Sequence, residues 1–215
     1  MHKTLIAAAL LAACPLAAHA TDALSYSYAE AGLTRAELDM SDDAGTLKAN
    51  GGYVRGAYAL TEATHVFGGF TRVSESESIY GVKLEGDLDQ VELGLGWHMP
   101  MSERVDFTAE AAYVRLDLQM KISGLPADSG YDEFNGRYDF DAINAGRVSL
   151  GLRGAPSART EAWVKAGAMD GSDMDSEFVG HLGGQFKFNQ TWGLVGEVQW
   201  LGENTLYSAG VRASF

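Results

Sequence analysis

Cysteine is almost missing: the 215-residue chain holds one, Cys14, close to its amino terminus. The rest of the chain therefore has no disulfide, no thiolate nucleophile and no cysteine-ligated metal. Proline is scarce too, with 4 residues against 26 glycines, and 10% of the chain is aromatic. A glycine-rich, proline-poor composition of this kind suits many strands joined by turns. Basic residues are outnumbered, 16 Lys and Arg against 29 Asp and Glu, for a net charge of -13. That balance argues against nucleic acid as a partner, because phosphate binding needs basic patches. No uncharged apolar run reaches the roughly 18 residues that a spanning helix needs, and mean hydropathy is only -0.10. If this chain enters a bilayer, it enters as a closed barrel, since only helices and barrels satisfy the backbone in lipid.

The amino terminus reads as an export signal. His2 and Lys3 give a positive start, Thr4 to Ala13 is a short apolar run, and Ala18-His19-Ala20 is an A-x-A cleavage site. Residues 1–20 form the expected signal peptide and 21–215 the mature domain. Leu11-Ala12-Ala13-Cys14 also reads as a lipoprotein box, in which case cleavage would leave a lipidated Cys14.

The carboxy terminus is the most regular stretch. Tyr207, Ala209, Val211, Ala213 and Phe215 alternate with Leu206, Ser208, Gly210, Arg212 and Ser214. A period of two is a strand with one apolar face. Similar alternation recurs: Val91, Leu93, Leu95 and Trp97; Val105, Phe107, Ala109 and Ala111; Val148, Leu150 and Leu152; Val164, Ala166 and Ala168; Phe178, Leu182 and Phe186. The pattern divides the chain into about ten strands, with eight as the alternative. The expected fold is all-β, an up-and-down antiparallel transmembrane barrel. Connections after even strands read as short. Those after odd strands read as mostly longer and more acidic: Asp39 to Gly45, Ser74 to Ile79, Ser123 to Arg137 and Asp170 to Ser176. Met99 to Glu103 reads as a turn, and Tyr138 to Gly154 as one strand. In the fifth strand the apolar parity flips after Tyr113, which requires either a bulge at Tyr113-Val114 or a strand projecting beyond the membrane.

The opening Ser25-Tyr26-Ser27-Tyr28-Ala29-Glu30-Ala31-Gly32, the segment Phe67-Gly68-Gly69-Phe70, the strand end Leu93-Gly94-Leu95-Gly96-Trp97 and the terminal Phe215 resemble small outer-membrane barrels of the OmpX/OmpA-like group. Tyr207, Val211 and Phe215 resemble the carboxy-terminal sorting signal of that class. The resemblance implies residence in the outer membrane, insertion by the barrel-assembly machinery, and contact with outer-membrane lipid and lipopolysaccharide. It implies structural, envelope-integrity or surface-interaction duties, without enzymatic activity and with a monomer as the unit. A narrow cation-favouring pore is the alternative.

Parity places Glu30, Arg55, Glu92, Glu110, Arg147, Lys165, Lys187, Glu197 and Arg212 on the inward face as a polar network, together with Gln185 and Gln199. Tyr26, Tyr28, Trp97, Tyr113, Trp192 and Trp200 fall near strand ends and read as an aromatic girdle. His65, His98 and His181 are dispersed without metal-ligand spacing, so no metal or cofactor is expected. A barrel hydrolase would draw on His181 with Ser176 or Asp175. The carboxylates of Asp170 to Glu177 do not fit an EF-hand, and bridging to lipopolysaccharide through a divalent ion is their functional reading.

Overall fold

The computed structural model describes residues 24–39, 45–79, 81–125, 132–172 and 174–215. The expected signal peptide, with Ala18, Ala20 and Cys14, and most of the first acidic loop lie outside the described residues. The strands are β1 (Tyr28–Asp39), β2 (Thr46–Ala59), β3 (Thr64–Ile79), β4 (Val82–Ser102), β5 (Val105–Ser123), β6 (Gly136–Asp139), β7 (Ile143–Ser157), β8 (Thr160–Gly171), β9 (Met174–Lys187), β10 (Trp192–Leu201) and β11 (Asn204–Ser214). A one-turn 3-10 helix spans Asp132–Phe134.

Ten strands close into an antiparallel barrel. Each pairs with its neighbour in sequence order, β5 pairs with β7, and β11 returns to pair with β1 along Tyr28↔Ser214 through Glu37↔Thr205. Closure leaves no sheet edge facing lipid, which a bilayer requires because unpaired backbone groups there have no water to bind. The Phe215 amide donates to the Ser27 carbonyl at 3.0 Å, and the Ser25 hydroxyl donates to the Phe215 carbonyl at 3.0 Å. Both ends of the barrel domain are thus fastened to one rim. That rim also carries the short connections 60–63, 103–104, 158–159 and 188–191, and short turns mark the periplasmic side.

The opposite, exterior side differs from the sequence expectation. Ser74 to Ile79 is not a loop; it is the upper part of β3, paired with β4 from Ser74↔Asp87 to Ile79↔Val82. Gly81, at a φ of 87°, turns the chain into β4, a conformation that glycine adopts without a Cβ penalty. Asp170 to Ser176 is likewise a tight hairpin between β8 and β9, with Gly171 opposite Met174. Met99 to Ser102 continues β4 rather than turning. The expected single strand Tyr138 to Gly154 is two strands, β6 and β7. In the Ser123 to Arg137 loop, β6 begins at Gly136 and pairs with β5 from Ile122↔Gly136 to Gln119↔Asp139. The register across Tyr113-Val114 is unbroken in both ladders. The parity flip therefore comes from β5 leaving the membrane, and β3, β4, β5 and β6 form a sheet that stands above the barrel.

The apolar parity faces outward. Leu33, Val54, Leu93, Leu95, Val148, Leu150, Val164, Phe178 and Val211 are all exposed, an apolar belt around the wall that suits lipid. Leu150→Arg, at the middle of β7 on this belt, is expected to lower the unfolding free energy by about 2–4 kcal/mol. Urea titration of protein refolded into lipid vesicles measures this.

Candidate functional site

The inward parity builds a continuous polar network. Glu30 on β1 is at its centre, its side chain fully enclosed. It accepts from the Tyr53 hydroxyl at 2.6 Å, from Arg55 Nε at 2.9 Å and from Arg212 Nε at 2.7 Å. Neighbouring strands supply these groups through the pairs Glu30↔Arg55 and Glu30↔Arg212, so register alone brings one carboxylate between two guanidiniums. Arg55 reaches on to Glu197 at 2.6 Å, whose other oxygen accepts from the Trp163 indole at 2.6 Å. Further round the wall, Arg147 of β7 donates to Glu92 of β4 at 2.7 Å, Lys165 of β8 to Glu110 of β5 at 2.5 Å and Lys187 of β9 to Glu161 of β8 at 2.5 Å. Glu161 also holds Arg153. A cavity of about 110 Å³ lies among these groups.

Each end of the network is closed by a different chemistry. At the periplasmic mouth Tyr26, just before β1, turns inward. Its ring stacks on His98 at 3.6 Å with an interplanar angle of 7°, and Arg153 lies over it at 4.7 Å. Its hydroxyl donates to Asp106 at 2.9 Å, and His65 packs at 4.9 Å. Leu24 and Ala155 bury against it. Toward the exterior, two apolar clusters form a collar. Val114, Ala145, Met169 and Val179, with Leu116, Met174 and Leu201, cover β5, β7, β8, β9 and β10. Ala36, Ala49 and Val73, with Leu38, Leu88 and Leu206, cover β1, β2, β3, β4 and β11. Every barrel strand thus contributes an apolar side chain to the collar, and Val179 has no exposed surface.

The structure places Glu30, Arg55, Glu92, Glu110, Arg147, Lys165, Lys187, Glu197 and Arg212 within this network, and Gln185 is buried beside it. Two of the six expected girdle residues are not on the outer face. Tyr26 is buried in the mouth. Tyr28 shares the parity of Glu30, and the Arg212 guanidinium lies 3.9 Å over its ring. The girdle reading relied on position near a strand end, whereas side-chain parity decides the face. Trp97, Tyr113, Trp192 and Trp200 are exposed on the outer wall, as are Tyr207 and Val211. His181 is buried, with Nδ1 3.9 Å from Glu197 and Nε2 3.5 Å from Arg147. Ser176 is exposed near the β8–β9 hairpin, so it does not form a nucleophile–base pair with the buried His181.

Sequence reasoning omitted several network members: Arg153, Glu161, Asp106, Trp163, Tyr53, His65 and His98. The signal was present for the charged pair. Arg153 falls in phase with Arg147, and Glu161 in phase with Lys165, so parity alone selects both.

A family model described as "Outer membrane protein beta-barrel domain" matches residues 6–199. No curated protein matches the sequence. Among solved structures, the translocator domain of the autotransporter NalP from Neisseria meningitidis aligns at a TM-score of 0.53 and 13% identity, covering 100% of this chain and 96% of that one. The outer membrane protease OmpT from Escherichia coli aligns at a TM-score of 0.51 and 9% identity, covering 88% and 96%. Ail, the attachment invasion locus protein of Yersinia pestis, aligns at a TM-score of 0.44 and 12% identity, covering 89% and 99%. At these identities what the NalP translocator domain and OmpT share with this chain is the fold.

Glu30→Gln removes the charge between Arg55 and Arg212, and a buried cation left without its partner is destabilising by about 3–5 kcal/mol. Glu37→Gln breaks only the exposed contacts to Arg35 and Lys48, where about 1 kcal/mol or less is expected. Urea unfolding of the two variants side by side checks the contrast.

Proposed function

This chain belongs to the outer membrane protein beta-barrel family, and on that premise we propose that it is a sealed, non-enzymatic barrel with a structural or surface-interaction role in the envelope. The outer membrane is its location; the finer role is our reading. The observation that carries it is the lining of the lumen by stacked rings, paired charges and apolar side chains at three successive levels. The Tyr26–His98–Arg153 stack occupies the periplasmic mouth. Paired charges occupy the middle, each carboxylate of Glu30, Glu92, Glu110, Glu161 and Glu197 lying 2.5–2.7 Å from a cation. Apolar side chains of the two collar clusters line the wall at the exterior end, and an apolar lining disfavours ion entry. The exposed Ser176 and the buried His181 support the absence of hydrolysis.

In this reading residues 1–20 are removed as an export signal. Tyr207 and Val211, outward on β11 with Phe215 at its end, are read by the barrel-assembly machinery, and the unit is a monomer. The working surface is then the exterior sheet rather than the lumen.

Planar-bilayer recording on refolded residues 21–215 tests this. Protein shown to be folded by its heat-modifiable gel migration is expected to give no discrete conductance steps. Cation-selective steps that change with Glu92→Gln would replace the sealed barrel with a narrow pore.

A further inference from the structure

The exterior sheet of β3, β4, β5 and β6 has a second face, the one in phase with the lumen, which looks over the mouth of the barrel. Strand pairing gives its rungs. Val73, Leu88 and Leu118 form the lowest, and Val73 and Leu88 belong to the collar. Above it come Glu75, Gly86, Met120 and Tyr138, and then Glu77, Leu84, Ile122 and Gly136. The Phe140 amide donates to the Leu118 carbonyl at 3.1 Å, which adds Phe140 to the lowest rung. The face is mainly apolar and carries the collar upward out of the membrane.

This face has no cover among the described residues. Leu84, Leu118, Met120, Tyr138 and Phe140 are exposed over 36% to 48% of their surface. A methyl group at Gly86 would touch nothing within 4 Å. Gly86 is therefore an open notch, flanked by Leu84 and Leu88 along β4 and by Glu75 and Met120 across the ladder. The face measures about 13 Å along the strands and about 14 Å across them, which is the footprint of roughly two to three turns of helix. A contiguous apolar patch rimmed by polar groups marks an interaction site.

Charge on the sheet is sorted by face. Arg72, Lys83, Arg115, Lys121 and Arg137 all take the outer face and are paired there with carboxylates. The face over the mouth carries only Glu75 and Glu77, which form no ion pair among the described residues. Round the rest of the exterior rim, Asp141, Asp170, Asp175 and Glu203 stand exposed. Beyond position 137 the basic residues are the luminal Arg147, Arg153, Lys165, Lys187 and Arg212, with Arg159 at a periplasmic turn. No basic residue stands on that part of the rim. An apolar floor thus lies between carboxylates on both flanks.

We propose that this face docks a cationic amphipathic helical segment of another protein or peptide. Its apolar stripe lies on Leu84, Leu118, Met120, Tyr138 and Phe140, and one side chain enters the notch at Gly86. Its lysines or arginines reach Glu75 and Glu77 on one flank and the acidic rim on the other. A helix with apolar and charged residues on opposite faces matches this arrangement. A second copy of this chain would set the same carboxylates against each other, and like charges across an interface repel. Lipid meets the outer wall, whereas this face lies over the mouth, inside the ring of strands. The proposal rests on the reading of an exterior working surface, and the bilayer recording concerns the lumen alone, so the two fail separately.

The test uses residues 21–215 in phosphatidylcholine nanodiscs, with empty nanodiscs as the baseline. The probe is a leucine–lysine peptide of about 14 residues, roughly four helical turns, with its leucines on one face. A scrambled peptide of the same composition and a leucine–glutamate version serve as comparisons, and only the first is expected to bind above the baseline. Glu75→Gln with Glu77→Gln is expected to weaken binding about fivefold, and Leu84→Ser with Met120→Ser about tenfold. Glu62→Gln with Glu103→Gln removes the same charge from exposed periplasmic positions and leaves binding unchanged. A photoreactive leucine in the peptide is expected to crosslink the parent protein within residues 84–88 or 118–122, a readout that does not depend on how the variants fold. Equal binding of the scrambled peptide, equal weakening by the Glu62, Glu103 pair, or crosslinks confined to the outer wall would each overturn the proposal.

Discussion

Everything in this molecule depends on the pairing of β11 with β1. Until those two strands meet, the ladder has an open edge, and an open edge in hydrocarbon carries unpaired amides and carbonyls that cost several kcal/mol each. Once they meet, inside and outside are set for every strand at once, because side chains alternate with a period of two. The same closure that satisfies the backbone therefore gathers Glu30, Arg55, Glu197 and Arg212 into one volume and leaves Leu33, Val54 and Val211 on the other side. The lumen network follows from the ladder; none of its members lies close to all the others in sequence.

How much could be read in advance follows from where that period is visible. Inside the membrane the two faces meet opposite solvents, so apolar and polar residues must alternate, and Val91 to Trp97 or Val148 to Leu152 display this directly. Along Ser74 to Ser78, at the top of β3, both faces carry polar residues. The alternation then loses its apolar half, and Ser74 to Ile79 reads as a loop although its backbone is paired throughout with β4. The same effect hides the hairpin at Asp170 to Ser176. β5 keeps its ladder but swaps the solvent on its outer face, and this is why its apolar residues change parity at Tyr113 without a bulge. Tyr26 and Tyr28 show a second limit. Aromatic residues at strand ends suit an interface, but Tyr28 has the phase of Glu30. Tyr26 precedes the first ladder pair, where sequence carries no phase at all.

Charge placement separates the roles of the two surfaces. In the membrane band the cations Arg55, Arg147, Arg153, Lys165, Lys187 and Arg212 match the carboxylates Glu30, Glu92, Glu110, Glu161, Glu197 and Asp106 in number. The excess negative charge of the chain is carried elsewhere, on the parts that stand in water. On the outward face of β3 to β6 it is interleaved with cations, as Arg72 with Asp89 and Lys121 with Glu85.

Interleaving matters for what such a face can bind. A uniformly basic belt would hold any anionic lipid by charge alone and would lose it as salt screened the attraction. Here each guanidinium is already oriented by a carboxylate beside it, and simple Coulomb attraction for a distant phosphate is largely offset by that neighbour. What remains is directional: the Nε and Nη2 groups of Arg72 and Arg115 are taken up by Asp89 and Asp117, so only their remaining N–H groups are left for a ligand. Selectivity of that sort needs a rigid frame, and the four-strand ladder from β3 to β6 supplies it above the membrane, where water would otherwise leave long loops free to move. The length of β3, β4 and β5 beyond the apolar belt is thus the structural feature that separates a barrel which merely spans the membrane from one that presents a shaped surface outside it.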